Sequence, residues 1–210
     1  MRDEAPKSED GRGGQSDRPR RADARRNVDA LLTAAMAVFT ASGVDAPVRE
    51  IADKAGVGVG TVYRHFPQRS DLIVAVFRNE VDACADAAPV LAARHAPEEA
   101  LRLWIERYVG FIGAKRGLSA ALHSGDPSYN VLPAYFEERL QPALGGLLKA
   151  AEAAGGIRAG IKADELLSAV ASLGRARGGN DPDLTRRMID LLLDGLRFGA
   201  DLRPPEPHPR

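Results

Sequence analysis

Residues 48–66 read VREIADKAGVGVGTVYRHF, and this stretch decides the fold of the N-terminal part. With Val48 as position one, apolar residues fall at positions four, eight, ten and fifteen: Ile51, Ala55, Val57 and Val62. Those positions pin two short helices against each other. Position five is Ala52, small enough for the second helix to cross closely. Position nine is Gly56, where the turn needs a positive φ that glycine adopts without strain. The spacing predicts helices from Val48 to Ala55 and from just after Gly58 to His65, with Pro67 stopping the second.

The second helix is the candidate reader of a duplex groove. With Val62 turned inward and roughly 100° per residue, Gly60 and Arg64 face outward. Thr61 and Tyr63 flank them, and His65 falls nearer the core edge. Gly60 lets the backbone approach a groove wall. Arg64 can pair with guanine O6 and N7 or with a phosphate. Thr61 can touch a thymine methyl or a phosphate. Tyr63 and His65 suit phosphate contacts that set register. Arg49 before this helix and Arg69 after it are placed to grip backbone from either side.

Working outward, Val28, Leu32, Ala35 and Phe39 recur at helical spacing and end at Gly43. Before them, residues 1–22 are rich in Gly, Asp, Arg, Ser and Pro without period and predict a disordered arm. Arg18, Arg20, Arg21, Arg25 and Arg26 stand there against Asp17 and Asp23. They form either a solvated tail or an arm that follows DNA phosphates.

Past Pro67, Ser70 and Asp71 open a long helix carrying Leu72, Ile73, Val76, Phe77 and Val81. Pro97 opens another, with Leu101, Trp104, Ile105, Tyr108, Phe111 and Ile112 as its stripe. Residues 124–133 are punctuated by Gly125, Pro127 and Pro133 and predict a loop or broken helix. Phe136, Leu140, Leu144, Leu147 and Leu148 mark a helix ending at Gly155-Gly156. Asp164 begins one more, and Asp181-Pro182 begins the last. No segment alternates with period two, so the chain is expected to be all-α with about nine helices. The expected division is a basic arm (1–22), a helix-turn-helix domain (23–68), a larger helical domain (69–202) and a Pro-rich tail (203–210).

Composition limits the function classes. The chain has 210 residues, is 44% hydrophobic and has zero formal net charge, so any nucleic-acid affinity depends on where charge sits. Cys84 is its one cysteine, which excludes an internal disulfide. No stretch approaches the roughly 20 apolar residues of a membrane span, and the N-terminus has no apolar signal core, so a cytoplasmic protein without membrane contact is expected. His65, His95, His123 and His208 are scattered, which argues against a metal site. His123, Ser124 and Asp126 are adjacent, but neither a strand nor a nucleophile-elbow glycine pattern surrounds Ser124, so no catalytic residue and no cofactor is expected.

Residues 25–80 resemble the tetracycline-repressor (TetR) family of bacterial regulators. The strongest element is GTVYRHF, Gly60–Phe66, followed by Pro67 and a charged helix start. The resemblance implies a three-helix DNA-binding domain, a larger helical ligand-binding domain, and a homodimer held by the last two long helices. It implies that Thr61, Tyr63 and His65 contact operator DNA. Three positions depart from the family pattern. Pro47 stands where a capping Thr is frequent, Gly58 where Ser is frequent, and Val59 where Lys is frequent.

The expected function is a ligand-responsive repressor released from a palindromic operator by a small, mostly apolar effector. A ligand-independent regulator or an activator is the alternative. Candidate effector contacts are Trp104, Tyr108, Phe111, Leu122, His123, Tyr129 and Phe136, the last part of them near a predicted helix break. Small residues Ala171, Gly174, Gly195 and Gly199 are expected to let the dimer helices approach closely.

Overall fold

A computed structural model describes residues 17–115, 118–175 and 182–198. Among them it has nine α-helices, one 3-10 turn and no strand. The helices are α1 (Asp17–Ser42), α2 (Val48–Ala55), α3 (Val59–His65), α4 (Arg69–Ala92), α5 (Pro97–Lys115), α6 (Ser119–Leu122), α7 (Leu132–Ala153), α8 (Ala163–Arg175) and α9 (Pro182–Phe198). The 3-10 turn, Pro127–Tyr129, lies between α6 and α7.

The expected arm of residues 1–22 is corrected at its end, because α1 begins at Asp17. Pro19 falls in the first turn, where its missing N–H is tolerated. Alanine and arginine then propagate the helix. Residues 1–16, the tail 203–210, and the guanidinium groups of Arg18, Arg20, Arg21, Arg25 and Arg26 lie outside the described part of the structure. Pro133 is likewise helical, in the first turn of α7 rather than in the preceding loop.

Helices α1–α3 form the small N-terminal unit. Gly43, at φ 79°, ends α1, and Gly56, at φ 69°, turns α2 into α3. At the second turn the Val57 N–H reaches back to the Ala52 carbonyl at 3.0 Å. Ile51, Ala52 and Val62 are buried against Phe39, as the spacing required.

Helix α4 continues from that unit into the larger one. It packs against α1, α5 and α7, while α8 lies on α5 and α7, and α9 lies on α8. One apolar cluster runs through both units, from Leu31 to Leu196. Each fully buried large aliphatic or aromatic side chain contributes about 1.5–3 kcal/mol to it.

Directional contacts set the packing. Tyr135 Oη and Arg139 Nε on α7 both donate to Asp82 on α4 at 2.7 Å, and Arg139 Nη2 donates to Asp86 at 2.8 Å. Trp104 Nε1 donates to the Cys84 carbonyl at 2.9 Å, joining α5 to α4. No described helix is long and apolar enough to cross a membrane.

Candidate nucleic-acid interface and ligand cavity

Helix α3 has only seven residues and is held by one deeply buried side chain, Val62. Its opposite side is open. Gly60, Tyr63, Arg64 and His65 are exposed and Thr61 is half-buried. Tyr63 is 51% exposed, a large aromatic surface left in water. A Cβ built on Gly60 would meet nothing within 4 Å, so no internal packing requires glycine there. Arg49 on α2 is also exposed. This arrangement presents a guanidinium, a phenol, an imidazole and a bare stretch of backbone on one short helix sized for a major groove.

His65 departs from expectation: it is exposed, and Phe66 takes the core edge beside it, with ring centroids 6.2 Å apart. The helix ends at His65, so no further turn covers it. Neither α2 nor α3 has a side-chain cap, in line with Pro47 and Gly58 at their N-caps.

Arg69, expected to grip the DNA backbone, is engaged inside the protein. Its Nε donates to the Val44 carbonyl and its Nη2 to the Ala46 carbonyl, and its guanidinium lies 5.9 Å from the centre of the Phe39 ring. The α1–α2 loop leaves those carbonyls unpaired by helix geometry, and Arg69 satisfies them from the first turn of α4. It therefore positions the helix-turn-helix from behind.

The larger unit contains a cavity of about 350 Å³ between α5, α6, α7 and α8. Tyr108, Phe111, Ile112 and Lys115 line it from α5, and Ser119 and His123 from α6 and its end. Phe136 lines it from α7, and Leu167, Ser168 and Ala171 from α8. Its aromatic side is ordered: Tyr108 and Phe111 stack with centroids 6.1 Å apart at 18°, and Phe111 and Phe136 at 6.1 Å and 26°. Lys115 Nζ stands 5.4 Å from the Phe77 ring centre and 5.9 Å from that of Phe136. His123 Nδ1 lies 2.8 Å from the Ser119 carbonyl, a bond that makes it the protonated ring nitrogen.

Residues 31–76 match the family described as bacterial regulatory proteins, tetR family, and residues 96–198 match the C-terminal domain described as transcriptional regulator SbtR-like. The crystal structure of the TetR transcriptional regulator SCO0520 from Streptomyces coelicolor is 41% identical, with a TM-score of 0.71, over 80% of this chain and 97% of that one. A TetR regulatory protein from Mycobacterium vanbaalenii is 36% identical, with a TM-score of 0.70, over 85% and 99%. The chain belongs to the TetR family. The HTH-type transcriptional repressor KstR of Mycobacterium tuberculosis is 39% identical over 67 residues, which span 30% of this chain and 30% of that repressor.

Family and fold are thus those of DNA-binding transcription regulators and not of enzymes. Four of the seven residues expected at the effector site of this TetR chain do line one cavity: Tyr108, Phe111, His123 and Phe136. Three do not. Trp104 is fully buried behind Tyr108, with its N–H spent on the Cys84 carbonyl. Leu122 is absent from the cavity lining. Tyr129 belongs to a separate groove at the junction with the N-terminal unit, beside Val44, Gln68, Arg69 and Ala121.

Sequence reasoning missed Lys115, although its spacing of seven from Tyr108 and four from Phe111 puts it on the same helical face. Leu167, Ser168 and Ala171 carried no signal, because only tertiary packing sets α8 against α5. Asp126 and Ser124 are occupied in their own loop: Asp126 Oδ1 accepts from the Ser128 N–H at 2.8 Å, and Ser124 Oγ accepts from the Asp126 N–H at 3.2 Å. Among the described residues no group of three His, Cys, Asp or Glu could hold a metal. Burial pushes the Cys84 thiol up to about 12, so it remains a protonated, buried hydrophobe.

Proposed function

We propose that this protein is a homodimeric repressor that binds a palindromic operator through α3 and leaves it when a small molecule fills the α5–α8 cavity. The observation that carries the DNA half is the uncovered face from Gly60 to Arg64, with Tyr63 half in water. Arg64 reads a base edge or holds a phosphate; Thr61, Tyr63, His65 and Arg49 set register on the backbone.

The effector half rests on the cavity. A ligand that binds one conformation better than the DNA-competent one shifts the population away from the operator by that difference in affinity. Helix α6 stands between the two sites. Ser119 and His123 face the cavity, while Ala120 and Ala121 face the junction groove that holds Arg69 and Val44.

The dimer reading rests on α9. Leu184, Met188 and Leu191 are exposed, Leu191 by 65%, and with the exposed Gly195 they repeat at spacings of four, three and four. One apolar stripe in water invites a second copy, and two readers about 34 Å apart suit a palindrome. The small residues of α8 do not join that stripe. A Cβ on Gly174 would stand 3.1 Å from Ile112, so Gly174 serves the α5 contact, and Ala171 lines the cavity. Gly199 lies outside the described residues.

Selection of bound DNA from a random pool tests the whole reading. A palindrome with half-sites one or two helical turns apart is expected. Recovery of no common sequence, or of an unrepeated half-site, rejects the dimeric reader. Leu191→Glu is expected to yield a monomer in sedimentation and to lose the operator.

A further inference from the structure

Two neighbouring residues of α7 face different parts of the molecule. Phe136 lines the cavity. Tyr135, about 100° around the helix from it, points to α4 instead. Its Oη donates to both carboxylate oxygens of Asp82, each at 2.7 Å. Arg139, one turn on, donates through Nε to Asp82 at 2.7 Å and through Nη2 to Asp86 at 2.8 Å. The Arg78 guanidinium lies 4.9 Å from the centre of the Tyr135 ring. The Asp82 and Arg139 side chains are each 38% exposed, and ion pairs so open to water add little to stability. What they fix is the register of α7 against α4. Apolar rings slide past one another at little cost, whereas a charge-assisted bond weakens steeply with distance and angle.

The two tied segments are jointed at one end. The Tyr135–Asp82 and Arg139–Asp86 contacts each join residues 53 apart, so the helices run parallel here. The same offset sets Pro142 of α7 level with Pro89 of α4, each inside its helix. Each proline lacks the N–H that would bond the carbonyl four residues before it, that of Glu138 in α7 and of Ala85 in α4. Gly145 and Gly146 follow Pro142 by a turn, with nothing within 4 Å of a Cβ built on either. Prolines and pairs of small residues are where helices bend. At its other end α4 carries Arg69, about 20 Å from Asp82 at 1.5 Å per residue, which holds the α1–α2 loop.

We propose that Asp82, Tyr135 and Arg139 form a latch that carries cavity occupancy to the reading head. A molecule in the cavity displaces Phe136, residues 132–141 bend away at Pro142, and the latch makes α4 follow. This rests on the reading of the cavity as the effector site. None of the three residues lines the cavity or belongs to α2 or α3, so they act as positioning residues. A competing route runs through the Phe77 ring of α4, which lies edge-on to Phe111 with centroids 5.9 Å apart.

The test uses the full-length protein with a cysteine in place of Ser168 or of Ala171, two positions on the cavity lining, and monobromobimane as the attached occupant. Cys84 is buried and protonated, so the introduced thiol takes the label. Bimane emission moves to shorter wavelength when the ring leaves water, which reports seating in the cavity. Affinity for the operator recovered from the random pool is measured with and without label, and the ratio of the two is the readout. With the latch intact the label is expected to weaken operator binding about tenfold, inside the roughly 5–150-fold range of allosteric coupling. In the double variant Tyr135→Phe, Arg139→Met the ratio is expected to fall below about threefold, and Arg139→Lys alone, which keeps a cation beside Asp82, retains most of it. Pro142→Ala restores the missing N–H outside the latch and is expected to lower the ratio as well. A contact that only stabilises the fold would lower the melting temperature and leave the ratio unchanged. Melting curves verify folding, and Tyr135→Phe alone, which deletes one hydroxyl, keeps the test open should the double variant unfold. An undiminished ratio with the latch broken overturns the latch, keeps the effector site and assigns the coupling to Phe77 and Phe111. An undiminished ratio in Pro142→Ala overturns the joint. A seated label without effect on operator binding overturns the effector site and the latch with it, as does a label left in water from both positions.

Discussion

The Arg69 guanidinium donates through Nε to the Val44 carbonyl, tying the start of α4 to the loop between α1 and α2. A second donation to the Ala46 carbonyl and a face-on contact with Phe39 complete the clamp. The side chain that emerges right after the helix-turn-helix thus sets the position of that motif on the body of the protein.

Arg69→Met removes two charge-assisted bonds and leaves two partly buried carbonyls without their donor. The expected cost is about 1–3 kcal/mol in chemical denaturation. Operator affinity falls as α2 and α3 loosen, but the slope of log affinity against log salt stays unchanged, since no phosphate contact is lost. A slope reduced by about one would return Arg69 to the set of phosphate contacts.

Arg64 and Tyr63 carry the opposite signature. Both are exposed, so Arg64→Ala and Tyr63→Phe should change stability by less than about 0.5 kcal/mol. Arg64→Ala should cost about 1–3 kcal/mol in operator binding and relax the preference at one base position if it reads guanine. Titration of the variants on a set of singly substituted operators separates this from a phosphate role, which weakens all sequences alike.

The arginines of the N-terminal segment are tested together. Replacing Arg20, Arg21, Arg25 and Arg26 with Ala should flatten the salt dependence of operator binding by up to about 0.9 per lost phosphate contact. An unchanged slope would reject a DNA role for this part of the chain. α1 begins at Asp17, so these four positions lie in its first three turns.

Glu80 sets a pH dependence. Burial holds its carboxyl above the usual glutamate value, and Arg107 opposes that shift only in part. Between the ordinary value and the raised one, the folded protein binds more protons than the unfolded chain, so this group makes stability fall as pH rises. Glu80→Gln should raise the melting temperature at pH 7, with the gain vanishing below about pH 4, where the carboxyl is protonated in both states. A gain that persists in acid would assign the effect to packing instead.

Much of this architecture was legible in the chain because its causes are local. Gly43 and Gly56 sit at positive φ, where the ends of α1 and α2 were placed from residue type. Ile51, Ala52 and Val62 are buried because a two-helix turn of that spacing has one interior, and the outward set around Tyr63 follows from the same geometry. The effector site was legible only where it followed one helix. Tyr108, Phe111 and Phe136 belong to apolar stripes, and so does Trp104, yet Trp104 turns to Cys84 on α4 and never meets the cavity.

By its own periodicity and turn chemistry the amino-acid order determined an all-helical chain, the ends of α2 and α3, and the side of α3 left exposed. Only the tertiary structure decided that Arg69 holds a loop, that Lys115 and Ser168 meet across one cavity, and that Gly174 serves α5 while Leu191 faces water. The physical reason is range. Helix period, caps and turns act over a few residues, whereas a stripe on a helix has several possible neighbours, and which one it meets depends on close packing of elements far apart in the chain.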